Sequence, residues 1–174
     1  MLLKVETTIY KGGSYQLVEN LEPCKFKIST NQTKASLNHF TQALFRTAKN
    51  YNLPFVTANM VGKPFFIVTF RTLGLLDGQT RAMINPQLIW CSDEGQYVEE
   101  CFYLNGEETV IKNRPKTIKL TYMNKYHKIG TYEFSGRFAA YVIQAIEVMY
   151  GLPLNYIPPT PSEVAARLKK IHGG

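Results

Sequence analysis

Hydrophobic positions recur along this chain with two periods. In Gly136 to Gly151, GRFAAYVIQAIEVMYG, residues Ala139, Val142, Ile143, Ile146, Met149 and Tyr150 return at helical spacing, which marks an apolar stripe facing a core. A second helix is expected from Ser36 as N-cap to a stop before Leu53-Pro54, with Leu37, Phe40, Thr41, Leu44, Phe45 and Ala48 buried. Elsewhere the period is two. LLKVETTIY and YQLVENL read as strands around Gly12-Gly13, PFFIVTF as a buried strand, and AMINPQLIW as a strand broken at Pro86. Gly74 to Gly78 reads as a turn, and Leu104-Asn105-Gly106 as a turn between two strand-like runs in QYVEECFYLNGEETVI. TIKLTYMN sets Ile118, Leu120 and Tyr122 on one face; Asn124 to Lys128 turns the chain into IGTYEF. The pattern predicts an α+β domain of antiparallel strands around a central helix.

After Gly151 the pattern changes. LPLNYIPPTPSEVAARLKKIHGG opens as a proline-rich extended arm, and Ser162 then caps a short helix with Val164, Leu168 and Ile171 on one side. Such a short helix is marginal alone and needs a surface to dock on. The expected division is a domain over 1–152 and an arm with its helix over 153–174.

Composition narrows the class. The 174 residues suffice for one compact domain, and no apolar run is long enough to span a bilayer. The start, MLLKVETTIY, has no signal-peptide core. Cys24, Cys91 and Cys101 show no metal-pair spacing, which points to a reducing compartment without structural disulfides. The net charge of +7 is unevenly placed. Acids crowd the stretch from Asp93 to Glu108, while Lys112, Arg114, Lys116, Lys119, Lys125 and Lys128 follow with no acid among them. A basic block can attract nucleic acid, but no recognised nucleic-acid motif accompanies it, so the expectation is the solvated faces of two neighbouring hairpins that partly neutralise each other.

Three segments, taken in order, resemble the peptide deformylases, metal hydrolases that remove the N-formyl group from new proteins. LPFVTANMVGKPFFIV falls where that family has G-x-G-L-A-A-P-Q-x-G and a strand; Ala58 and Gly62 match, Leu53 and Phe55 replace glycines, and Met60 replaces the oxyanion-binding glutamine. INPQLIWCSDEGQYVEECFYLNG follows the I-N-P strand and E-G-C-L-S, giving Glu99-Glu100-Cys101-Phe102-Tyr103 with the glutamate and the metal-binding cysteine kept. Arg114-Pro115 through IKLTYMNKYHKIGTYEFSG is similar to the family's lead-in to its helix. On the helix, the family's Q-H-E-x-D-H-L-x-G anchored at Gly151 sets Gln144 at the first histidine, Ala145 at the catalytic glutamate, Glu147 at the aspartate and Val148 at the second histidine. A one-residue gap would instead put Gln144 on the glutamine and Ala145 on the histidine, restoring no ligand.

The resemblance implies a peptide-deformylase-like fold with a degenerate site. A catalytic metal needs about three protein ligands and an open position, and of these only Cys101 survives. Ala145 cannot move a proton and Met60 cannot donate to an oxyanion. The expectation is a pseudoenzyme: no catalytic residue, metal or cofactor at Met60, Cys101, Gln144, Ala145 and Val148, with Glu147 a structural partner. A retained fold without chemistry points to a structural or adaptor subunit among other protein subunits, in a bacteriophage virion (tail or baseplate) or the host cytoplasm, with no membrane contact. Its expected partner-binding anchors are Tyr156, Ile157 and Leu168. Two other readings stand beside it: an organellar-ribosome accessory protein binding RNA through 112–128, and a reassigned hydrolase using Cys101.

Overall fold

A computed structural model describes residues 14–18, 21–29, 34–71, 81–101 and 108–150. The described residues form two α-helices, a short 3₁₀ turn and seven strands, an α+β arrangement. They divide into two compact units: residues 1–86 with 122–130, and residues 87–121 with 131–174.

The first unit is built on α1 (Lys34–Asn50), β1 (Phe55–Thr57), β2 (Ile67–Phe70) and the first part of β3 (Arg81–Cys91). Strands β1, β2 and β3 pair antiparallel, with Phe55 opposite Phe70 and Ile67 opposite Ile84. Helix α1 packs on β1 and β2, burying Leu37, Phe40, Ala43, Leu44, Thr47 and Ala48. It begins at Lys34, so Ser36 lies inside the helix and is not its cap. At its other end Asn52 adopts a left-handed φ of 53° and the Leu53 N–H returns to the Ala48 carbonyl at 2.8 Å, stopping the helix before Pro54.

Residues 14–18 form no strand, a correction to the pattern over YQLVENL. Instead Tyr15 is buried with its ring edge-on to Phe40, its N–H donating to Thr47 Oγ1 at 2.8 Å. LLKVETTIY and the turn from Gly74 to Gly78 lie outside the described residues. Strand β3 runs through Pro86, and the expected break appears one residue earlier: Asn85 has φ 53°. Its amide is held by reciprocal bonds with the Ile28 backbone, 2.9 Å from the N–H and 2.8 Å to the carbonyl. A local kink of this kind is how a strand admits a residue with no N–H.

The second unit holds the rest of β3, β4 (Glu94–Cys101), β5 (Glu108–Pro115), β6 (Thr117–Met123) to Thr121, β7 (Ile129–Ser135) from Thr131, and α2 (Gly136–Met149). Here β6 lies between β3 and β7, while β4 and β5 form a two-stranded antiparallel sheet in which Glu94 faces Pro115 and Cys101 faces Glu108. Backbone bonds from Ser92 to Thr117 and from Lys116 to Asp93, each 2.9 Å, close the corner between β3–β6 and β4–β5. Ile118 and Leu120 are buried and Lys119 is exposed, as the period-two pattern requires.

Helix α2 follows Ser135, in extended conformation, and begins at Gly136, whose φ of 69° few side chains tolerate. Its stripe residues Ala139, Val142, Ile143, Ile146 and Met149 are buried, and so are Gln144 and Glu147. The helix is therefore enclosed on more than the one face its periodicity announced. Each fully buried Val, Ile or Met side chain contributes about 1.5–3 kcal/mol, so the buried face of α2 is a substantial share of the core. No helix among the described residues is long and apolar enough to cross a membrane.

Candidate functional site

In the first unit Met60 sits on the 3₁₀ turn Ala58–Val61, 1% exposed. Its sulfur accepts the Thr57 N–H at 3.2 Å, the place a Glu or Gln side chain takes in a capping box. Thr57 Oγ1 donates to Asn59 Oδ1 at 2.7 Å, and Asn59 Nδ2 donates to the Glu22 carbonyl at 2.8 Å. Gly62 ends the turn with φ 77°, and a Cβ there would lie 3.2 Å from Val18 Cγ1. The turn thus turns the Met60 thioether back onto its own backbone. Leu53 and Phe55, where glycines were expected from the resemblance, are buried core residues.

In the second unit Gln144, Ala145 and Val148 are all buried on α2, at 1%, 0% and 0% exposure. They offer an amide, a methyl and an isopropyl group; none is an imidazole or an acid. Cys101 ends β4, opposite Glu108 in the ladder. No group of three or more His, Cys, Asp or Glu among the described residues is arranged to hold a metal ion.

What the second unit does assemble is a cluster of buried charges. Arg114 on β5, 1% exposed, donates from Nε to Glu99 Oε1 at 2.6 Å and from Nη2 to Glu99 Oε2 at 2.9 Å. The same guanidinium donates from Nη1 to Glu147 Oε1 at 2.5 Å and from Nη2 to Glu147 Oε2 at 3.0 Å. Lys112, two positions earlier on the same strand face, brings Nζ to 4.0 Å from Glu99 Oε2. Burial pulls the Arg114 pKa down, but the hydrogen bonds and charges of Glu99 and Glu147 outweigh it and hold it above its ordinary value. Glu147 is thus paired with Arg114 inside the second unit.

For Lys112 and Arg114 this cluster corrects the reading of the basic block as solvated hairpin faces, whereas Lys116 and Lys119 are exposed and neutralised by acids as that reading has it. Lys112 and Arg114 are internal, Lys116 pairs with Asp93 at 2.9 Å, and Lys119 pairs with Glu133 at 3.6 Å while lying over the Trp90 ring. Sequence reasoning missed Arg114 as a site residue. The available signal was two cations spaced by two on a strand, which share a face, beside acids already placed at Glu99 and Glu147. Tyr156, Ile157, Leu168, Phe102, Tyr103 and His172 lie outside the described residues. His39 is exposed; His127 occupies the β6–β7 turn at φ 64°. Of the thiols, burial pushes Cys24 up to about 12 and Cys91 up to about 11.

The sequence profile of the family described as polypeptide deformylase matches residues 7–158. No curated protein sequence matches the chain. Among solved structures, the chain is similar to the peptide deformylase of Thermotoga maritima, at 18% identity and a TM-score of 0.71, over 84% of this chain and 99% of that one. It is also similar to a peptide deformylase from Legionella pneumophila (14% identity, TM-score 0.72, 91% and 95% covered). A third similar structure is a probable peptide deformylase from Synechococcus phage S-SSM7 (19% identity, TM-score 0.69, 76% and 88% covered).

Proposed function

Because this chain belongs to the polypeptide deformylase family but, on the resemblance above, carries other side chains at two of that family's three ligand positions and at its acid position, we propose that it is a non-catalytic, structural or adaptor member. The observation that carries this reading is the burial of Gln144, Ala145 and Val148 on α2. A first-row metal at such a site needs about three nitrogen, sulfur or carboxylate donors and an open position. An amide and an isopropyl group beside the one retained cysteine, Cys101, do not fit that requirement. A methyl group at Ala145 can neither take nor give a proton, and the Met60 side chain has no N–H to offer an oxyanion.

The partner is another protein subunit of a larger assembly. Val98 and Ile111 are register partners on β4 and β5 and are 52% and 70% exposed, an apolar pair suited to a neighbouring protein surface. Lys112 and Arg114 are engaged with internal carboxylates, which removes them from any stripe that would follow nucleic-acid phosphates. Tyr156, Ile157 and Leu168 are the proposed further anchors. A bacteriophage virion, in its tail or baseplate, is the proposed assembly; the phage origin of one similar structure supports the phage setting alone.

The test has two arms. Purified protein loaded in turn with zinc, nickel and ferrous iron should hydrolyse a formyl-methionyl peptide no faster than the metal alone. In lysate of the native source, gradient sedimentation with mass spectrometry should find the chain in a large particle. Turnover above the metal blank would end the non-catalytic reading, and sedimentation as a free protein of 19.8 kDa would end the assembly reading.

A further inference from the structure

Strands β3 and β4 run against β6 and β5 in one unbroken register. Val98 faces Ile111, Gln96 faces Asn113 and Glu94 faces Pro115. Past the corner the stepping continues: the Ser92 N–H donates to the Thr117 carbonyl at 2.9 Å, and Lys119 Nζ lies 5.5 Å from the centre of the Trp90 ring. Each step of two back along the first strand meets a step of two forward along the second. Side chains alternate along a strand, so Trp90 and Val98 share one side of a continuous ribbon, opposite to the side that carries Glu99, Lys112 and Arg114. Trp90 is 48% exposed, Val98 52% and Ile111 70%. On that side, every residue from Trp90 to Val98 and from Ile111 to Lys119 is at least part-exposed apart from Pro115.

We propose that this side of the ribbon, from Trp90 to the Val98–Ile111 pair, receives an extended, acid-free segment of a partner protein. The inference rests on the protein-partner reading above and gives that partner a form. Size argues for a segment. Eight residue steps of strand cover about 26 Å and two strands about 10 Å in width, or about 250 Å² in all. A folded partner or a second copy would need about 800 Å², whereas an extended chain of about eight residues has the right length. Charge argues against acids in it: Lys119 is already paired with Glu133 of β7 at 3.6 Å, which leaves exposed Glu94 as the unpaired charge on this side among the described residues. Between the apolar ends, Gln96 and Asn113 are exposed and face each other, offering amide donors and acceptors to a peptide backbone. Large apolar side chains of the segment would seat on Trp90 at one end and on Val98 and Ile111 at the other.

The experiment pans the immobilised full chain against a displayed library of random peptides of about twelve residues. A selected peptide without tryptophan is then titrated into free protein while the emission of Trp90, the single tryptophan, is followed. Selected peptides should be poor in Asp and Glu and share two large apolar residues about seven or eight positions apart, and binding should shift Trp90 emission to the blue. Read by anisotropy of the labelled peptide, Ile111→Lys and Trp90→Ser should each weaken binding by about tenfold or more. Tyr51→Ser, at an exposed aromatic just past α1, should leave it unchanged. A library that yields no binder overturns the inference, as do peptides whose affinity is the same for wild type and Ile111→Lys. Trp90 emission shifted by cellohexaose or maltohexaose and by no peptide overturns it in favour of a glycan. In the native source, Ile111→Lys and Trp90→Ser should release the chain from its particle. Retention of both variants overturns this surface and leaves the assembly reading standing, whereas a wild-type chain that sediments free overturns both.

Discussion

Glu99 on β4 and Glu147 on α2 share one guanidinium, and Arg114 Nη2 donates to both, at 2.9 Å and 3.0 Å. A bidentate bond to each carboxylate fixes strand and helix in one geometry, which a monopolar ammonium cannot do.

Arg114→Leu should therefore be among the costliest single changes in the chain. It leaves Glu147 without that cation and Glu99 with only Lys112 at 4.0 Å, for a loss of about 3–5 kcal/mol, seen as a lower urea midpoint. Arg114→Lys should recover little, because three donors on a point charge cannot serve both acids.

Ala145 is fully buried, so restoring an acid there should not restore chemistry. Ala145→Glu should lower stability by about 3 kcal/mol or more through an unpaired charge in a filled space. Ala145→Gly should cost only about 1 kcal/mol, the usual helix-interior penalty. Thermal unfolding of the two variants checks the contrast; equal effects would contradict the packing described for α2.

Cys24 donates its S–H to the Phe65 carbonyl at 3.1 Å, and its pKa is pushed up to about 12. At neutral pH the native thiol should resist an aromatic disulfide reagent that labels it readily after denaturation. The pH dependence follows from the raised folded value. The stabilisation is complete below the unfolded thiol pKa and disappears as pH climbs from there toward about 12. Alkaline loss of stability should shrink in Cys24→Ala, measured by urea midpoints across that range.

Gly62 tests the turn that holds Met60. Its φ of 77° and the 3.2 Å approach of Val18 Cγ1 leave a Cβ both strained and crowded. Gly62→Ala should cost about 1–2 kcal/mol from the left-handed backbone alone, read as a lower Tm.

Local pattern by itself determined most of the framework. The period of 3.6 over Gly136 to Gly151 gave α2, the alternation in TIKLTYM gave β6 with its buried Ile118 and Leu120, and Asn124 to Lys128 gave the turn before β7. Periodicity reads these because one face of each element is apolar and the other is not. It failed for residues 14–18, where Tyr15 is held by a side chain from α1, and it misplaced the start of α1, which begins at Lys34 ahead of Ser36. The resemblance identified Gln144, Ala145 and Val148 as the positions to watch.

Only tertiary structure decided the fate of the charges. Lys112 and Arg114 read as solvent-facing because lysine and arginine are rarely buried. Their burial depends on Glu99 and Glu147, which chain folding delivers from a different strand and a helix. No window of neighbouring residues contains that pairing, since the energy that keeps a charge inside comes from groups distant in sequence.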